Sequence, residues 1–173
     1  MEEVILVDTN DNQLGVMEKL EAHQKSLLHR AFSVFVFNDR DELLLQQRNP
    51  NKYHSGGLWT NTCCGHPRPN ETVEAAASRR LFEEMGFTTE LQKQFSFIYK
   101  TQFANGLTEH ELDYVFFGKF NGIFTPNPSE VSGIRYHTLN DIEKDIQSNP
   151  DNYTSWFKIC FEEVMKKRNS IIN

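Results

Sequence analysis

Histidines and carboxylates recur in this chain in a combination that suits a metal centre. Three imidazoles, His23, His29 and His66, stand beside a pair of carboxylates, Glu109 and Glu111. On a strand, residues two apart point the same way, so Glu109 and Glu111 share a face while His110 points opposite. The same alternation places Cys64 and His66 on one face if the strand stays regular there. Such a mixed set suits Zn²⁺, Mn²⁺ or Mg²⁺ at higher coordination. Taken singly, each of these residues has an ordinary structural role, because spacing alone does not bring His23 and His29 together. His54, His110 and His137 show no partner pattern and are expected to be surface or structural residues.

A second group lies between Gly65 and Gly86, where Glu71, Arg79, Arg80, Glu83 and Glu84 follow one another. On a helix, Arg80, Glu83 and Glu84 share one side beside Ala76 and Ala77. Leu81, Phe82 and Met85, with Ala75 and Ser78, form the side expected to pack. Carboxylates clustered on a helix under a loop suit a hard cation such as Mg²⁺, which is commonly held by one or two carboxylates plus substrate phosphates. On an isolated helix the same residues would be a solvated face of Arg–Glu pairs.

These residues need strands and one helix to position them. Residues 4–7 read as a short strand, turned by Asp8-Thr9-Asn10-Asp11-Asn12, and residues 18–28 have weak helical character. Two apolar runs, 32–37 and 43–47, flank Asn38-Asp39-Arg40-Asp41, a strong hairpin signal. A long loop at 49–58 contains Pro50 and Gly56-Gly57, and long ordered loops are often functional. Residues 59–64 read as one short strand. The clearest helix spans 72–85, with Thr72 as N-cap and Gly86 as its stop. Strand-like runs follow at 95–100, 111–120 and 133–138, then helices at 139–147 and, after Asn149-Pro150, at 155–167. That order predicts an α/β (α+β) sandwich of mixed β-sheets with flanking helices rather than a doubly wound sheet.

The run Gly-x5-Glu-x7-Arg-x-Leu-x-Glu-Glu-x-Gly-Phe, from Gly65 to Phe87, resembles the Nudix box. It departs from that pattern at Arg80, where the family carries a glutamate. The substitution removes a metal ligand and adds a phosphate-pairing group, which favours holding a diphosphate over cutting it. A more specific resemblance lies in Trp59-Thr60-Asn61-Thr62-Cys63-Cys64-Gly65-His66-Pro67, which is similar to the signature of type 1 isopentenyl diphosphate isomerases. Glu18-Lys19-Leu20-Glu21-Ala22-His23, Leu28-His29-Arg30-Ala31-Phe32 and Glu109-His110-Glu111 agree in order. The similarity runs from Val4 to the Trp156 helix and is densest between Ala31 and Gly86.

Carried over residue by residue, the resemblance implies a single Nudix-type domain over residues 1–173 that converts isopentenyl diphosphate to dimethylallyl diphosphate. Cys64 and Glu111 would be the catalytic pair on opposite faces of the substrate. His23, His29, His66, Glu109 and Glu111 would bind a protein-held Mn²⁺, Zn²⁺ or Mg²⁺. Glu84, with the Cys64 carbonyl, would hold a Mg²⁺ that bridges to the diphosphate. Lys19, Arg48, Lys52 and Arg80 would contact the diphosphate, and Tyr99 and Trp156 would line the hydrocarbon pocket. Without the resemblance, Trp156 reads as a core residue of an amphipathic helix. Cys63 should face away from Cys64 into the core, and Cys160 reads as a buried helix residue.

Composition narrows the classes further. A net charge of −6 over 173 residues argues against a dedicated nucleic-acid binder. No apolar run is long enough to span a membrane, and the stretch after the acidic Met1-Glu2-Glu3 is too short for a signal peptide. Three cysteines, two of them adjacent, make no disulfide framework and fit a reducing cytoplasm. The expected assembly is a monomer or weak dimer. Two rival readings stand: a Nudix hydrolase of a nucleoside diphosphate derivative, and a catalytically silent Nudix module. The hydrolase accounts for the box but not for Arg80 or the His/Glu set. The silent module leaves Cys64, His66 and Glu111 without purpose.

Overall fold

The computed structural model describes residues 2–172; Met1 and Asn173, the ends of the single domain expected from the sequence, lie outside the described residues. Strands β1 (Glu3–Val7) and β2 (Gln13–Glu18) form an antiparallel pair, followed by a single short helix, α1 (Lys19–Gln24). β2 was not expected, because the apolar alternation in Gln13–Glu18 is limited to Leu14 and Val16, and both are exposed. Next come β3 (His29–Phe37) and β4 (Glu42–Arg48), joined by the predicted turn. They are paired only at Phe37 and Leu43 and diverge from there.

That divergence splits the segment read as one strand. β5 (Trp59–Thr60) pairs with β4, and β6 (Cys63–Gly65) pairs with β3. Asn61 and Thr62 cross the gap and replace the missing ladder bonds with side chains. The Thr62 hydroxyl accepts from the Val36 amide at 2.9 Å and donates to the Leu44 carbonyl at 2.7 Å. The Asn61 amide donates to the carbonyls of Val34 and Cys63. Both are fully buried, where unmet backbone groups would be costly.

After helix α2 (Val73–Met85), strands β7 (Leu91–Gln102) and β8 (Thr108–Lys119) form a long antiparallel pair, and β8 runs parallel to β3. β9 (Val131–Thr138) joins β4. Helix α3 (Leu139–Ser148), a 3₁₀ turn (Pro150–Asn152) and helix α4 (Ser155–Ile172) complete the described chain. All the described strands belong to one mixed, hydrogen-bonded sheet, with helices on both faces. No helix among the described residues is long and apolar enough to cross a membrane.

The two faces follow from alternation along β3. Phe35 and Phe37 point into a cluster with Val115, Phe117 and residues of α4, while Phe32, Val34 and Val36 point at α2. Helix α2 is capped as predicted: Thr72 accepts from the Ala75 amide, and Gly86 adopts φ +78. Its packed face differs from the expected one. Ala76, Ala77, Leu81, Glu84 and Met85 are buried, whereas Phe82 is 60% exposed and Ala75 faces solvent. The stripe that meets the sheet is thus rotated toward Arg80 and Glu84, which directs Glu84 inward.

Candidate functional site

One sheet face changes character along its length, and that change creates the site. On β8, Phe117 and Val115 lie in the core cluster, and the same face continues through Asp113, Glu111 and Glu109. On β3 it passes from Phe37 and Phe35 through Ser33 to His29, and on β7 from Phe95 and Phe97 to Tyr99. The strand register places His29 opposite Glu111 and Tyr99 opposite Glu111 on the other side. The polar ends meet at one cavity of about 610 Å³ whose lining includes Cys64, His66, Tyr99, Glu109, Glu111 and Trp156.

Three imidazoles converge on Glu111. Its Oε1 lies 2.9 Å from His66 Nε2, 3.5 Å from His29 Nε2 and 3.9 Å from His23 Nε2. His23 Nδ1 is 2.6 Å from the Lys19 carbonyl and His29 Nδ1 is 2.8 Å from the Leu27 carbonyl. A carbonyl only accepts, so both Nδ1 atoms carry a proton, and Nε2 is the nitrogen that offers its lone pair when the ring is neutral. Those two Nε2 atoms are buried without a hydrogen bond among the described residues. Backbone carbonyls that fix the tautomer of a ligating imidazole are a regular part of metal centres. Burial lowers His23 and brings His66 down to about 4, against the opposing pull of Glu111, so both are neutral and able to ligate at neutral pH. His23, His29, His66 and Glu111 offer ligand atoms all within 4.8 Å of one another, a set that fits a divalent metal. Glu109 groups separately, with His23 and His54.

Tyr99 stands between the two glutamates, with its hydroxyl 2.7 Å from Glu111 Oε2 and 3.1 Å from Glu109 Oε2. Burial and the neighbouring Glu111 charge hold Glu109 well above the usual carboxylate range. For Glu111 burial acts upward, but His66 and His29 outweigh it and hold the carboxyl well below that range. The two carboxyls are therefore set apart in proton affinity, the pattern expected where one site must hold and accept protons. Cys64 is partly exposed and lines the same cavity, and burial pushes its thiol up to about 12, so it carries its proton. Cys63 points the other way into the cluster under α2, as alternation predicted, and Cys160 is buried in α4. Trp156 serves two roles: it is 2% exposed within the core cluster, and it also lines the cavity. Its indole N–H donates to Asn61 Oδ1 at 3.2 Å, which fixes the ring plane.

Lys19, Arg48, Lys52 and Arg80 all reach this cavity from different elements. Lys19 pairs with Glu2 at 3.1 Å, Lys52 with Glu130, and Arg80 with Glu83, Glu84 and Glu130. Arg48 is buried, with its guanidinium carbon 5.2 Å from the centre of the Trp156 ring and its Nε without a hydrogen bond among the described residues. Glu84 also lines the cavity and accepts from Gln46 at 2.8 Å and from Arg80. Gly65 lets Arg80 lie close, since a Cβ there would meet the Arg80 stem at 3.3 Å. The other box residues are architectural: Arg79 grips Glu71 with two hydrogen bonds of 2.7 and 2.8 Å and bonds Glu83, tying the 65–71 loop to α2.

Every residue singled out for the site borders this cavity or the imidazole cluster beside it. Several lining residues were not singled out, among them Asp113, Tyr53 and His54. Asp113 continues the Glu109, Glu111 alternation, a signal present in the sequence; its Oδ2 accepts from Ser33 at 2.7 Å. Tyr53 and His54 sit on the 49–58 loop, where no periodicity announces a direction. Of the two alternatives expected for His54, surface or structural, burial excludes the first: it is 7% exposed and its Nε2 lies 3.1 Å from Glu109 Oε1.

The model of the NUDIX domain matches residues 27–157. Isopentenyl-diphosphate Delta-isomerase of Pectobacterium atrosepticum is 50% identical over 162 residues, covering 94% of this chain and 90% of that protein. Isopentenyl-diphosphate Delta-isomerase 2 of Photorhabdus laumondii is 52% identical over 159 residues, covering 91% and 90%. Among solved structures, a protein of Deinococcus radiodurans superposes with a TM-score of 0.71 at 19% identity, covering 86% of this chain and 90% of that one. A MutT NUDIX hydrolase from Burkholderia pseudomallei gives 0.61 at 22% identity, covering 79% and 98%, so the hydrolases share the fold alone. With a Nudix fold and full-length identity of this order, the chain belongs to the isopentenyl-diphosphate Delta-isomerase family.

Proposed function

We propose that this chain isomerises isopentenyl diphosphate to dimethylallyl diphosphate by adding a proton to the terminal alkene carbon and removing one from the carbon nearer the diphosphate. The observation that carries the reading is one cavity with a cationic side, an apolar wall and two proton-handling groups between them. The diphosphate would be held by Lys19, Arg48, Lys52 and Arg80; Lys19, Lys52 and Arg80 now pair with Glu2, Glu130 and the box carboxylates and would exchange those partners for phosphate oxygens, while Arg48 lies over Trp156 with its Nε free of hydrogen bonds among the described residues. That anchor supplies binding energy remote from the reacting carbons, for positioning and for excluding water.

An alkene is a poor base, and its protonation generates a tertiary cation. Cys64, and Glu111 with Tyr99, would handle the two protons. The indole face of Trp156 would steady the cation, an attraction of about 2 kcal/mol or more for a desolvated ring. A neutral indole offers no nucleophile to trap it. His23, His29, His66, Glu109 and Glu111 would hold a divalent Mn²⁺, Zn²⁺ or Mg²⁺, and Glu84 with the Cys64 carbonyl a substrate-bridging Mg²⁺. Such ions, when bound, neutralise the diphosphate and fix the proton affinity of the carboxyl they touch. Against diphosphate hydrolysis stands Arg80, a cation at the position where the Nudix box pattern carries a glutamate, so one carboxylate ligand for a cleaving metal is missing.

The test is incubation of metal-loaded protein with isopentenyl diphosphate in deuterated water, followed by NMR. Dimethylallyl diphosphate carrying deuterium is the expected product. Released phosphate without isomer would overturn the reading in favour of a hydrolase, and absence of any turnover in favour of a silent module.

A further inference from the structure

His54 lies outside every motif that carried the functional reading, yet it is built into the site from all sides. Its ring stacks on Phe103 with centroids 4.5 Å apart and planes 11° apart, and stands edge-on to Tyr53 at 4.3 Å. Its Nε2 reaches Glu109 Oε1 at 3.1 Å, while its Nδ1 faces the Ser55 hydroxyl at 3.3 Å. Its own carbonyl accepts from Arg48 at 3.3 Å. Glu109 is the carboxyl that shares Tyr99 with Glu111, so His54 is one residue removed from the imidazole cluster. The loop that carries it, residues 49–58, also carries Lys52 and begins next to Arg48. A second tie, from the Asn105 side chain to the Tyr53 carbonyl at 3.1 Å, fastens the same loop to the β7–β8 turn.

We propose that His54 is a positioning residue that joins the metal side of the site to the diphosphate side, by donating from Nε2 to Glu109 while its backbone and its loop hold Arg48 and Lys52. The Glu109 carboxylate is oriented by Tyr99 on one oxygen and by His54 on the other. Fixing that carboxylate favours metal binding, and a bound metal in turn fixes the carboxylate and, through His54, the loop. Binding free energies are reciprocal, so an ion and a diphosphate would each tighten the other's site. Partners of this kind commonly change metal affinity or activity about 10–100-fold when removed. The assignment of metal and diphosphate sides rests on the proposed function.

The experiment uses the full chain with Mn²⁺ as the probe and two readouts that need no turnover. Free Mn²⁺ is counted by electron paramagnetic resonance, and amide hydrogen exchange is followed across residues 49–58. In the wild type, Mn²⁺ should slow exchange in this loop. His54→Phe keeps a ring to stack on Phe103 but loses the donor; it should bind Mn²⁺ about tenfold more weakly, and the ion should no longer slow exchange. His54→Gln places an amide donor near the Nε2 position and should restore most of both effects. With substrate, His54→Phe should raise KM for isopentenyl diphosphate more than it lowers kcat. Wild-type affinity and loop protection in His54→Phe would overturn the proposal. So would a His54→Gln protein as impaired as His54→Phe, because the imidazole would then act as a ligand itself. A wild type that binds Mn²⁺ and protects the loop without isomerising anything would sink the proposed function and leave this coupling standing.

Discussion

Adjacent cysteines on one short strand illustrate how a single residue step decides chemistry. Cys64 opens to the cavity, while Cys63 is fully buried under α2. Cys64→Ala and Glu111→Gln should each reduce isomerase turnover by about 10²–10⁴-fold, the range for loss of a proton-transfer group, with far-ultraviolet circular dichroism unchanged. Near-normal rates in either variant would remove that residue from the mechanism. Cys63→Ala should keep turnover within a few-fold and instead lower stability by about 1 kcal/mol, read from urea denaturation. A dead Cys63 variant would mean the wrong thiol was chosen. Alternation made this choice legible in sequence, as it did the shared face of Glu109 and Glu111. The direction of His54 was not legible, because a loop has no period.

Helix α2 shows the same division at the level of an element. Its start and stop were readable, since Thr72 and Gly86 perform the capping that their chemistry allows. Its rotation was not, because the sequence contains apolar residues on two sides and only the sheet chooses between them. Phe82 lost that competition and faces solvent, and Glu84 gained a buried place beside the cavity. Gly86 is demanding for two reasons: its φ is +78, and an added Cβ would sit 2.5 Å from the Thr125 carbonyl oxygen. Gly86→Ala should therefore lower stability by roughly 2 kcal/mol, measured by urea denaturation. A loss below the experimental error would show that the loop at Thr125 moves away freely.

The imidazole cluster ties the stability of the whole molecule to metal and to pH. His23 and His29 come from α1 and β3, His66 from the residue that follows β6, and Glu111 from β8, so an ion binding them would fasten separate elements together. An ion held only by the folded chain adds about 2.7 kcal/mol at a hundredfold excess over its Kd. Mn²⁺ or Zn²⁺ should accordingly raise the melting temperature, and His29→Ala should abolish most of that rise. An equal rise in the variant would place the ion elsewhere. In the metal-free protein, His66 titrates at about 4 against an ordinary 6.5, because burial disfavours its charged form. Between those values the unfolded chain binds the proton and the folded chain does not, so stability is present above about 6.5 and is lost as pH falls toward about 4. At about 1.4 kcal/mol for each pH unit of displacement, the loss reaches roughly 3 kcal/mol. The stability of the wild type relative to His66→Gln should fall across that window in urea melts. A flat difference would show that the imidazole is not desolvated as described.

Local chemistry sufficed for much of this protein. Side-chain alternation, helix caps, turn residues and the box spacing are properties of neighbours in sequence, and they determined the limits of α2, the outward Cys64, the inward Cys63 and most of the strand runs, though neither β2 nor the break between β5 and β6. Three matters depended on distance in space. The splay of β3 from β4, bridged by Asn61 and Thr62, moved the Cys64 segment from one partner strand to another. Packing against the sheet set the rotation of α2 and sent Glu84 inward. The parallel pairing of β8 with β3 brought His29 to Glu111, residues far apart in the chain whose meeting no local pattern encodes. Ligand geometry is a sum of such long-range pairings, so residue types could nominate a metal centre while only the tertiary structure could assemble it and add His54 to its border.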